Sequence, residues 1–362
     1  MKLGEVCDNI SVTFDKTKQQ VVLVNTSDVL NGKVTNHVLV NNKGLKGQFK
    51  KTFQKDDILY SEIRPKNKRF AFIDFNANDY VASTKLMVIR ANKKVLPQYL
   101  YQVLKSEEVI NQLQALAESR SGTFPQITFS ELAQINVRIP KLDEQKEIAN
   151  FLKLFDDKIE NNKKINHHLE EMATSIFENM FPNVSSGKST IGNYIIPKRG
   201  KNLLSKDAIV GKVPVVAGGL QPSTFHNIAN TKSPVLTISA SGANAGYVNL
   251  WHMPVWSSDS SYIDTSITDN VYFWYVMLKK RQQEIYDSQT GSAQPHIYPK
   301  HIEIMPTIDL SEDKVSRFTK QVTPLFESIG NNIKEIGELQ TLRDTLLPKL
   351  LSGEIPVNQA TK

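Results

Sequence analysis

The sequence predicts an α+β protein: two mixed α/β domains joined by two long antiparallel coiled-coil helices, the whole forming a pseudo-twofold internal repeat. Three observations carry this. Residues 159–177 read IENNKKINHHLEEMATSIF and residues 329–347 read IGNNIKEIGELQTLRDTLL, so Asn161/Asn162 fall on Asn331/Asn332 and Leu169 on Leu339. Upstream, RSGTFPQI ending at Ile127 matches QTGSAQPHI ending at Ile297, and Leu3-Gly4-Glu5 echoes Ile191-Gly192-Asn193. Self-similarity at a fixed shift marks a duplicated architecture. The globular stretches before each helix, finally, are rich in short β-like runs.

The elements follow in order. Residues 1–140 form the first domain, with strands expected at Val21–Val24, Asp57–Ile63, Phe70–Phe75 and Lys85–Ile89, a turn at Asn31-Gly32, and a helix over Leu96–Leu116. Residues 141–184 form the central helix. From Ile148, the positions Leu152, Phe155, Ile159, Asn162, Asn166, Leu169, Ala173, Ile176 and Met180 step by three and four, the seam of a coiled coil. Asp143 is its expected N-cap, following Pro140. Residues 185–308 form the second domain, with strands at Val213–Val216, Val235–Ser239 and Tyr247–Trp251, a turn at Gly218-Gly219, and a helix over Asn270–Tyr286. Residues 309–354 form the C-terminal helix, stepping through Val315, Phe318, Val322, Leu325, Ile329, Asn332, Ile336 and Leu339, with Ser311 as cap; residues 355–362 are a tail. Pro324 is expected to kink this helix and Pro348 to end it. Asn162 and Asn332 hold equivalent seam positions, and a seam Asn sets register at a cost in stability. A solvent-facing position for both stays open at this level.

Composition narrows the function classes. A chain of 362 residues exceeds the usual single-domain size, and 40% hydrophobic with 22% charged residues is ordinary for a folded protein. No apolar run reaches the roughly 18 residues needed to span a bilayer, and MKLGEVCDNI lacks the apolar core of a signal peptide, so no membrane partner and a cytoplasmic location are expected. The single cysteine, Cys7, excludes an internal disulfide and a cysteine-rich metal cluster. The formal charge of +7 favours a polyanionic partner.

Catalytic signatures are weak. Gly187-Lys188-Ser189 resembles the end of a phosphate loop, but the Gly required five residues earlier is Pro182. There is no Asn/Asp-Pro-Pro-aromatic tetrapeptide and no Phe-x-Gly-x-Gly loop for methyl transfer from S-adenosylmethionine. Asp57 with Glu62-x-Arg64 fits a nuclease triad loosely, because Arg64 stands where a Lys is required. His296 and His301 bracket Pro299 without a carboxylate pair, and His167 and His168 read as solvated helix residues. No metal site and no catalytic residue is expected.

What is left suits DNA. Arg64-Pro-Lys66-Asn-Lys68-Arg69 is a basic turn between two expected strands; Lys43, Lys46, Lys50 and Lys51 form a second basic stretch, and Lys198-Arg199-Gly-Lys201-Asn202 a third. Such clusters neutralise phosphates, and polar loop side chains read base edges. Two small-residue loops, Ser239–Gly246 with Ser241 and Asn244, and Trp256–Ser260 with Ser258 and Asp259, let a backbone approach a ligand closely. Arg120 and Thr123 of RSGTFPQI complete the candidate DNA-binding set. For any one cluster an ordinary solvated basic face remains the alternative.

At Ile139-Pro140-Lys-Leu-Asp-Glu144-Gln145-Lys-Glu-Ile148-Ala149, followed by the helix through Ile159-Glu-Asn-Asn162, the chain resembles the specificity subunits of type I restriction-modification systems over its whole length. Supporting segments are Pro214–Gly219, Ser239–Gly246, Trp256–Ser260, Ser121–Ile127 and the ending Leu346–Ile355. The second half departs from the pattern, since Pro306-Thr-Ile-Asp-Leu-Ser-Glu-Asp lacks the Glu-Gln pair. The resemblance implies a non-catalytic subunit whose two target-recognition domains each read one half of a bipartite double-stranded DNA site. It implies helices that act as spacer and bind partners, with Glu144, Gln145, Ile148, Asn162 and Asn332 as the helix candidates. Two methyltransferase subunits, carrying S-adenosylmethionine, would flip and methylate adenines, and a motor-nuclease restriction subunit would cut; this chain itself would need no cofactor. Two rival classes stay open: a two-headed coiled-coil adaptor for other proteins, and a standalone nuclease that would lose cutting on Glu62→Ala.

The helix seam yields a direct test. Seven residues inserted into both helices at matched depth preserve the seam and lengthen each helix by about 10 Å. At about 3.4 Å per base pair, the preferred half-site spacer is expected to grow by some three base pairs. Affinity measured over a series of spacers checks this, and an unchanged optimum in a folded variant refutes the spacer role.

Overall fold

The structure, a computed structural model, describes residues 1–43, 47–119, 125–291 and 294–360. Its contacts divide it into two units, Met1–Lys158 with Glu338–Lys362, and Ile159–Gly337.

In the first unit the chain forms strands β1 (Cys7–Asn9), β2 (Gln20–Val24), β3 (Val29–Leu30), β4 (Lys33–Val34), β5 (Leu39–Asn41), β6 (Phe49–Lys51), β7 (Ile58–Ser61), β8 (Phe70–Phe72), β9 (Tyr80–Ser83) and β10 (Leu86–Ala91). They build two four-stranded sheets, ordered β1-β10-β7-β8 and β5-β2-β9-β6, plus the β3-β4 hairpin. Asn31 and Gly32 close that hairpin with φ of 47° and 93°, the paired left-handed conformation that a two-residue turn requires. Helices α1 (Pro97–Leu104), α2 (Glu107–Glu118) and α3 (Phe129–Leu132) follow, then the long α4 (Leu142–Met180). Strand β7 is buried throughout because both its faces are covered. Ile58, Tyr60, Met87 and Ile89 join the core built with α1 and α2, while Leu59, Leu86 and Val88 join Val22, Val24 and Ala82 of the second sheet. The period-2 alternation of a strand thus feeds two cores at once.

The second unit contains β11 (Ser189–Thr190), β12 (Lys198–Arg199), β13 (Val213–Val216), β14 (Thr224–His226), β15 (Val235–Ser239), β16 (Val248–Trp251), β17 (Trp256–Ser257) and β18 (Ser260–Asp264). Helices α5 (Val271–Lys280), α6 (Gln282–Asp287) and α7 (Pro299–Glu303), strand β19 (Pro306–Thr307) and the long α8 (Glu312–Ser352) follow, α8 belonging to this unit as far as Gly337 and to the first from Glu338. Its sheet order β12-β18-β15-β16 repeats β1-β10-β7-β8 strand for strand, all antiparallel. Its β14-β13-β17 sheet repeats β5-β2-β9, including the parallel pairing of the middle strand. The repeat seen in short motifs therefore extends to the topology of both sheets.

Four sequence expectations are corrected. The helix over Leu96–Leu116 is two helices, broken at Lys105-Ser106, where the Ser106 hydroxyl accepts a hydrogen bond from Val109 N at 3.4 Å and starts α2. The helix over Asn270–Tyr286 breaks at Arg281, whose buried guanidinium donates to Glu284 and, at 2.8 Å, to the Pro306 carbonyl. Asp143 lies inside the first turn of α4, not at its cap; its charge there suits the positive end of the helix. Pro348 does not end α8, which runs to Ser352 because Leu347 and Leu350 on either side are buried in the first unit's core. Ser311 does cap α8, its hydroxyl accepting from Lys314 N at 3.5 Å.

Each unit takes core residues from both long helices. In the first, Ile148, Ala149 and Leu152 of α4 and Leu347 and Leu350 of α8 pack with Leu3, Tyr99, Leu100 and Leu113. In the second, Phe177 stands among Phe181, Phe273 and Phe318 at centroid distances of 5.2, 5.6 and 5.5 Å. The helix segments run antiparallel: Asn162 Nδ2 donates to Glu335 Oε2 at 2.6 Å, and Asn332 Nδ2 to Asn166 Oδ1 at 2.8 Å. Both asparagines face the seam. Among the described residues no helix is long and apolar enough to cross a membrane.

One ion cluster of the first unit ties α4 and α8 to the residue that caps α1. Asp156 accepts from Lys105 Nζ at 2.8 Å and from Arg343 Nη1 at 2.7 Å. Burial pushes the Asp156 carboxyl up, but Lys105 and Arg343 together outweigh it and hold the group below its usual range. A carboxyl depressed in the folded state stabilises fully above its unfolded value of about 3.9, and that contribution disappears as pH falls through the lower folded value. Asp156→Asn is expected to cost roughly 1–3 kcal/mol at pH 7, between an exposed and a fully buried pair, and to flatten the loss of stability below about pH 4. Denaturant unfolding at pH 7 and pH 3 checks both.

Candidate nucleic-acid interface

The candidate residues of the second unit gather at one end of its first sheet. There β12 ends, β15 ends and β18 begins. Arg199 Nη2 donates to Asp259 Oδ1 at 2.6 Å, and the Ser241 hydroxyl donates to Asp259 Oδ2. Gly200 makes this approach possible, since a Cβ there would meet the Ser257 carbonyl oxygen at 2.5 Å. Lys198, Lys201 and Asn202 are exposed beside the pair, and Asn244 is half-buried. Ser258 differs from expectation: it is 3% exposed, and its hydroxyl accepts from Leu203 N at 2.9 Å, so it fastens the loop from inside. His296 and His301 flank Tyr298 with ring centroids 5.9 and 5.7 Å away, a stack and not a ligand pair.

The first unit repeats this frame through its backbone. Glu62 N donates to Lys85 O at 3.0 Å where Ala240 N donates to Asp259 O at 3.1 Å; Ile127 N to Glu62 O at 2.8 Å where Ile297 N donates to Ala240 O at 2.9 Å. Arg64 N to Pro125 O and Gly242 N to Pro295 O, both 3.1 Å, match as well, as do the bridges Ile63–Gln126 and Ser241–His296. At this end Lys85 Nζ donates to Gln126 Oε1 at 3.0 Å and lies 3.8 Å from Glu62 Oε2. The sequence alone did not bring Lys85 and Gln126 to this end, and it offered His296 only as a metal-ligand candidate; the TFPQI and AQPHI motifs were the available signal, while their partners across the sheet left none.

The basic turn of the first unit is tied to its neighbours. Arg64 and Lys68 adopt positive φ of 45° and 52° around Pro65–Asn67, a strained arrangement for side chains with a Cβ. Lys66 N donates to Gln114 Oε1 at 3.1 Å, pinning the turn to α2. Arg64 and Lys66 are exposed, while Lys68 pairs with Glu107 and Arg69 donates to the carbonyls of Thr26 and Ser27. Lys50 is exposed on β6; its neighbour Lys51 turns inward to the Thr84 and Leu86 carbonyls, and burial lowers its pKa. Lys46, Arg120 and Thr123 lie outside the described residues. Asp57 is 1% exposed and bound by Arg90 through both carboxylate oxygens, at 2.7 and 2.8 Å, which leaves no nuclease triad with Glu62. Among the described residues no group of three or more His, Cys, Asp or Glu is placed to hold a metal ion.

The helix candidates separate by burial. Glu144 is half-exposed and accepts from Arg138 Nη2 at 2.6 Å. Gln145 is fully buried: its Oε1 accepts from Leu96 N at 2.7 Å and its Nε2 donates to the Lys94 and Pro140 carbonyls at 3.1 and 2.8 Å. Ile148 is a core residue, Asn162 is buried in the seam, and Asn332 is half-buried there.

Comparison with known proteins fits this geometry. Residues 1–171 match the family model of the type I restriction modification DNA specificity domain. The chain is similar to the specificity subunits of type I restriction-modification systems. It is 40% identical over 237 residues, 63% of this chain, to the type I restriction enzyme HindI specificity subunit of Haemophilus influenzae, and spans only 51% of that relative's length. It is 26% identical over 361 residues to the MjaIX specificity subunit of Methanocaldococcus jannaschii, covering 88% of this chain and 82% of that one. The crystal structure of a type I restriction-modification S subunit from M. genitalium superposes with a TM-score of 0.60 at 20% identity, over 97% of this chain and 95% of that one, a likeness of fold.

The buried amide of Gln145 makes a structural demand that an exposed partner contact would not. Gln145→Ala strips three part-buried backbone groups of their partner and is expected to destabilise the first unit by roughly 1–3 kcal/mol. A drop in the thermal unfolding midpoint of the isolated chain checks it; an unchanged midpoint would return Gln145 to the surface.

Proposed function

We propose that the chain is the DNA-reading subunit of a type I restriction-modification complex, each unit recognising one half of a bipartite double-stranded site. The observation that carries the reading is the doubled frame. Two units of the same strand order each present exposed basic side chains, Lys50, Arg64 and Lys66 in one and Lys198 and Lys201 in the other, beside a polar cluster at one sheet end. Basic side chains position a duplex through its phosphates and polar clusters sample base edges, the division of labour that sequence-specific binding needs.

On this reading the chemistry belongs to partners. Two methyltransferase subunits, holding S-adenosylmethionine, modify adenines, a restriction subunit cuts, and the complex works in the cytoplasm. Glu144 and the exposed faces of α4 and α8 are the surfaces offered to those partners. The subunit itself recognises DNA and performs no reaction step.

Competition binding with the full chain tests the reading against a protein adaptor. Scrambling both half-sites of a selected duplex is expected to weaken binding at least 10³-fold at physiological salt, the usual gap between specific and non-specific complexes, and scrambling one to weaken it by part of that. Lys66→Ala is expected to weaken all sequences alike and to reduce the salt slope by about one. Equal affinity for selected and scrambled duplexes would refute specific DNA recognition.

A further inference from the structure

The two matched sheet ends differ at one position in a way that bears on what each half-site contains. Lys85 and Asp259 occupy the same place: each is the residue just before the strand, β10 or β18, that pairs antiparallel with the end of β7 or β15. In each, the backbone carbonyl accepts from the residue that follows the partner strand, Glu62 or Ala240. The geometry is common and the chemistry is opposite. A lysine ammonium has three donors and no acceptor, and a carboxylate has only acceptors, about four lone-pair sites.

Both groups keep bonding capacity in hand. Lys85 Nζ gives one hydrogen bond, to Gln126 Oε1 at 3.0 Å, with Glu62 Oε2 3.8 Å away, and its side chain is 50% exposed. Asp259 receives Arg199 on one oxygen and Ser241 on the other, leaving a lone pair on each, and its side chain is 32% exposed. Neighbours orient both groups without saturating them. Side chains held in that way discriminate base edges, whereas a mobile lysine supplies only charge.

We infer that this shared position is a specificity-determining one: Lys85 selects a guanine, through its O6 and N7 acceptors, in the half-site read by the first unit, and Asp259 selects a cytosine, through its N4 donor, in the half-site read by the second. The inference rests on the DNA-reading function proposed above and adds which side chain reads and what base edge it demands. Gln126 and Arg199 are positioning residues that hold the reading groups. The major groove supplies a donor and acceptor pattern distinct enough for such readout.

The experiment is selection from a duplex library randomised in both half-sites, using the full chain alone and assembled with its methyltransferase subunits. Lys85→Gln is expected to move one position of one half-site from guanine to adenine, because a glutamine amide matches adenine N6 and N7, and to leave the other half-site unchanged. Lys85→Arg is expected to keep guanine. Asp259→Asn is expected to erase the cytosine preference at one position of the opposite half-site, a loss of roughly 5- to 150-fold in discrimination. Thermal unfolding accompanies each variant, and with three variants at two sites no single misfolded one leaves the question open. Uniform weakening with unchanged base preference, or a change in both half-sites from one substitution, overturns the inference while the DNA-reading function stands. Failure of the unmodified chain to enrich any bipartite site overturns that function itself.

Discussion

Everything in this molecule depends on the packing of two helix segments, far apart in the chain, into each α/β core. The first unit closes its core with Ile148, Ala149 and Leu152 from one helix and Leu347 and Leu350 from the other. The second does so with Ala173, Phe177 and Phe181 opposite Phe318, Val322 and Phe326. An amphipathic helix about 40 residues long would be marginal without a surface to bury its stripe, and the sheets would expose their helix-facing side without it. Helix and sheet therefore stabilise each other, and the last turns of the chain help to hold the unit that contains the first.

Polar groups inside this packing set register more than they add stability. The pairs Asn162–Glu335 and Asn166–Asn332 fix which turns of the helices meet in the second unit, and Asp156 with Lys105 and Arg343 does so in the first. A one-turn slip would part each of these groups from its partner, and would leave the buried Asn162 amide unsatisfied, a penalty larger than the net worth of the bond itself. Gln145 acts in the same manner at the start of the helix, spending its amide on three backbone groups. The Glu-Gln pair is thus split between a half-exposed carboxylate and a buried amide.

Duplication explains how one architecture can carry two different sets of side chains. The sheet ends are held by backbone hydrogen bonds that match bond for bond between the units, and backbone bonds do not depend on the side chains beside them. Residues at the matched positions are therefore at liberty to differ, and they do: Lys85 against Asp259, Glu62 against Ala240, Gln126 against His296, Arg64 against Gly242. The frame conserves geometry while its display changes sign of charge.

What the sequence by itself determined about this protein is its periodic and repeated part: the duplication, the two long helices with Asn162 and Asn332 on their seam, and seven of the strands. These signals are local, arising from the three-and-four spacing of a helix and the alternation of a strand. Only the tertiary structure decided which polar residues remain available. It drew Ser258, Gln145, Arg69 and Lys51 inward, broke two expected helices at Ser106 and Arg281, and carried α8 through Pro348. It also brought Glu62, Lys85 and Gln126 together, and joined Arg199 to Asp259 across 60 positions of sequence. The physical reason is that a hydrogen-bond partner is chosen by strand pairing and by the folding-back of the chain, and neither leaves a periodic trace around the residues that it brings into contact.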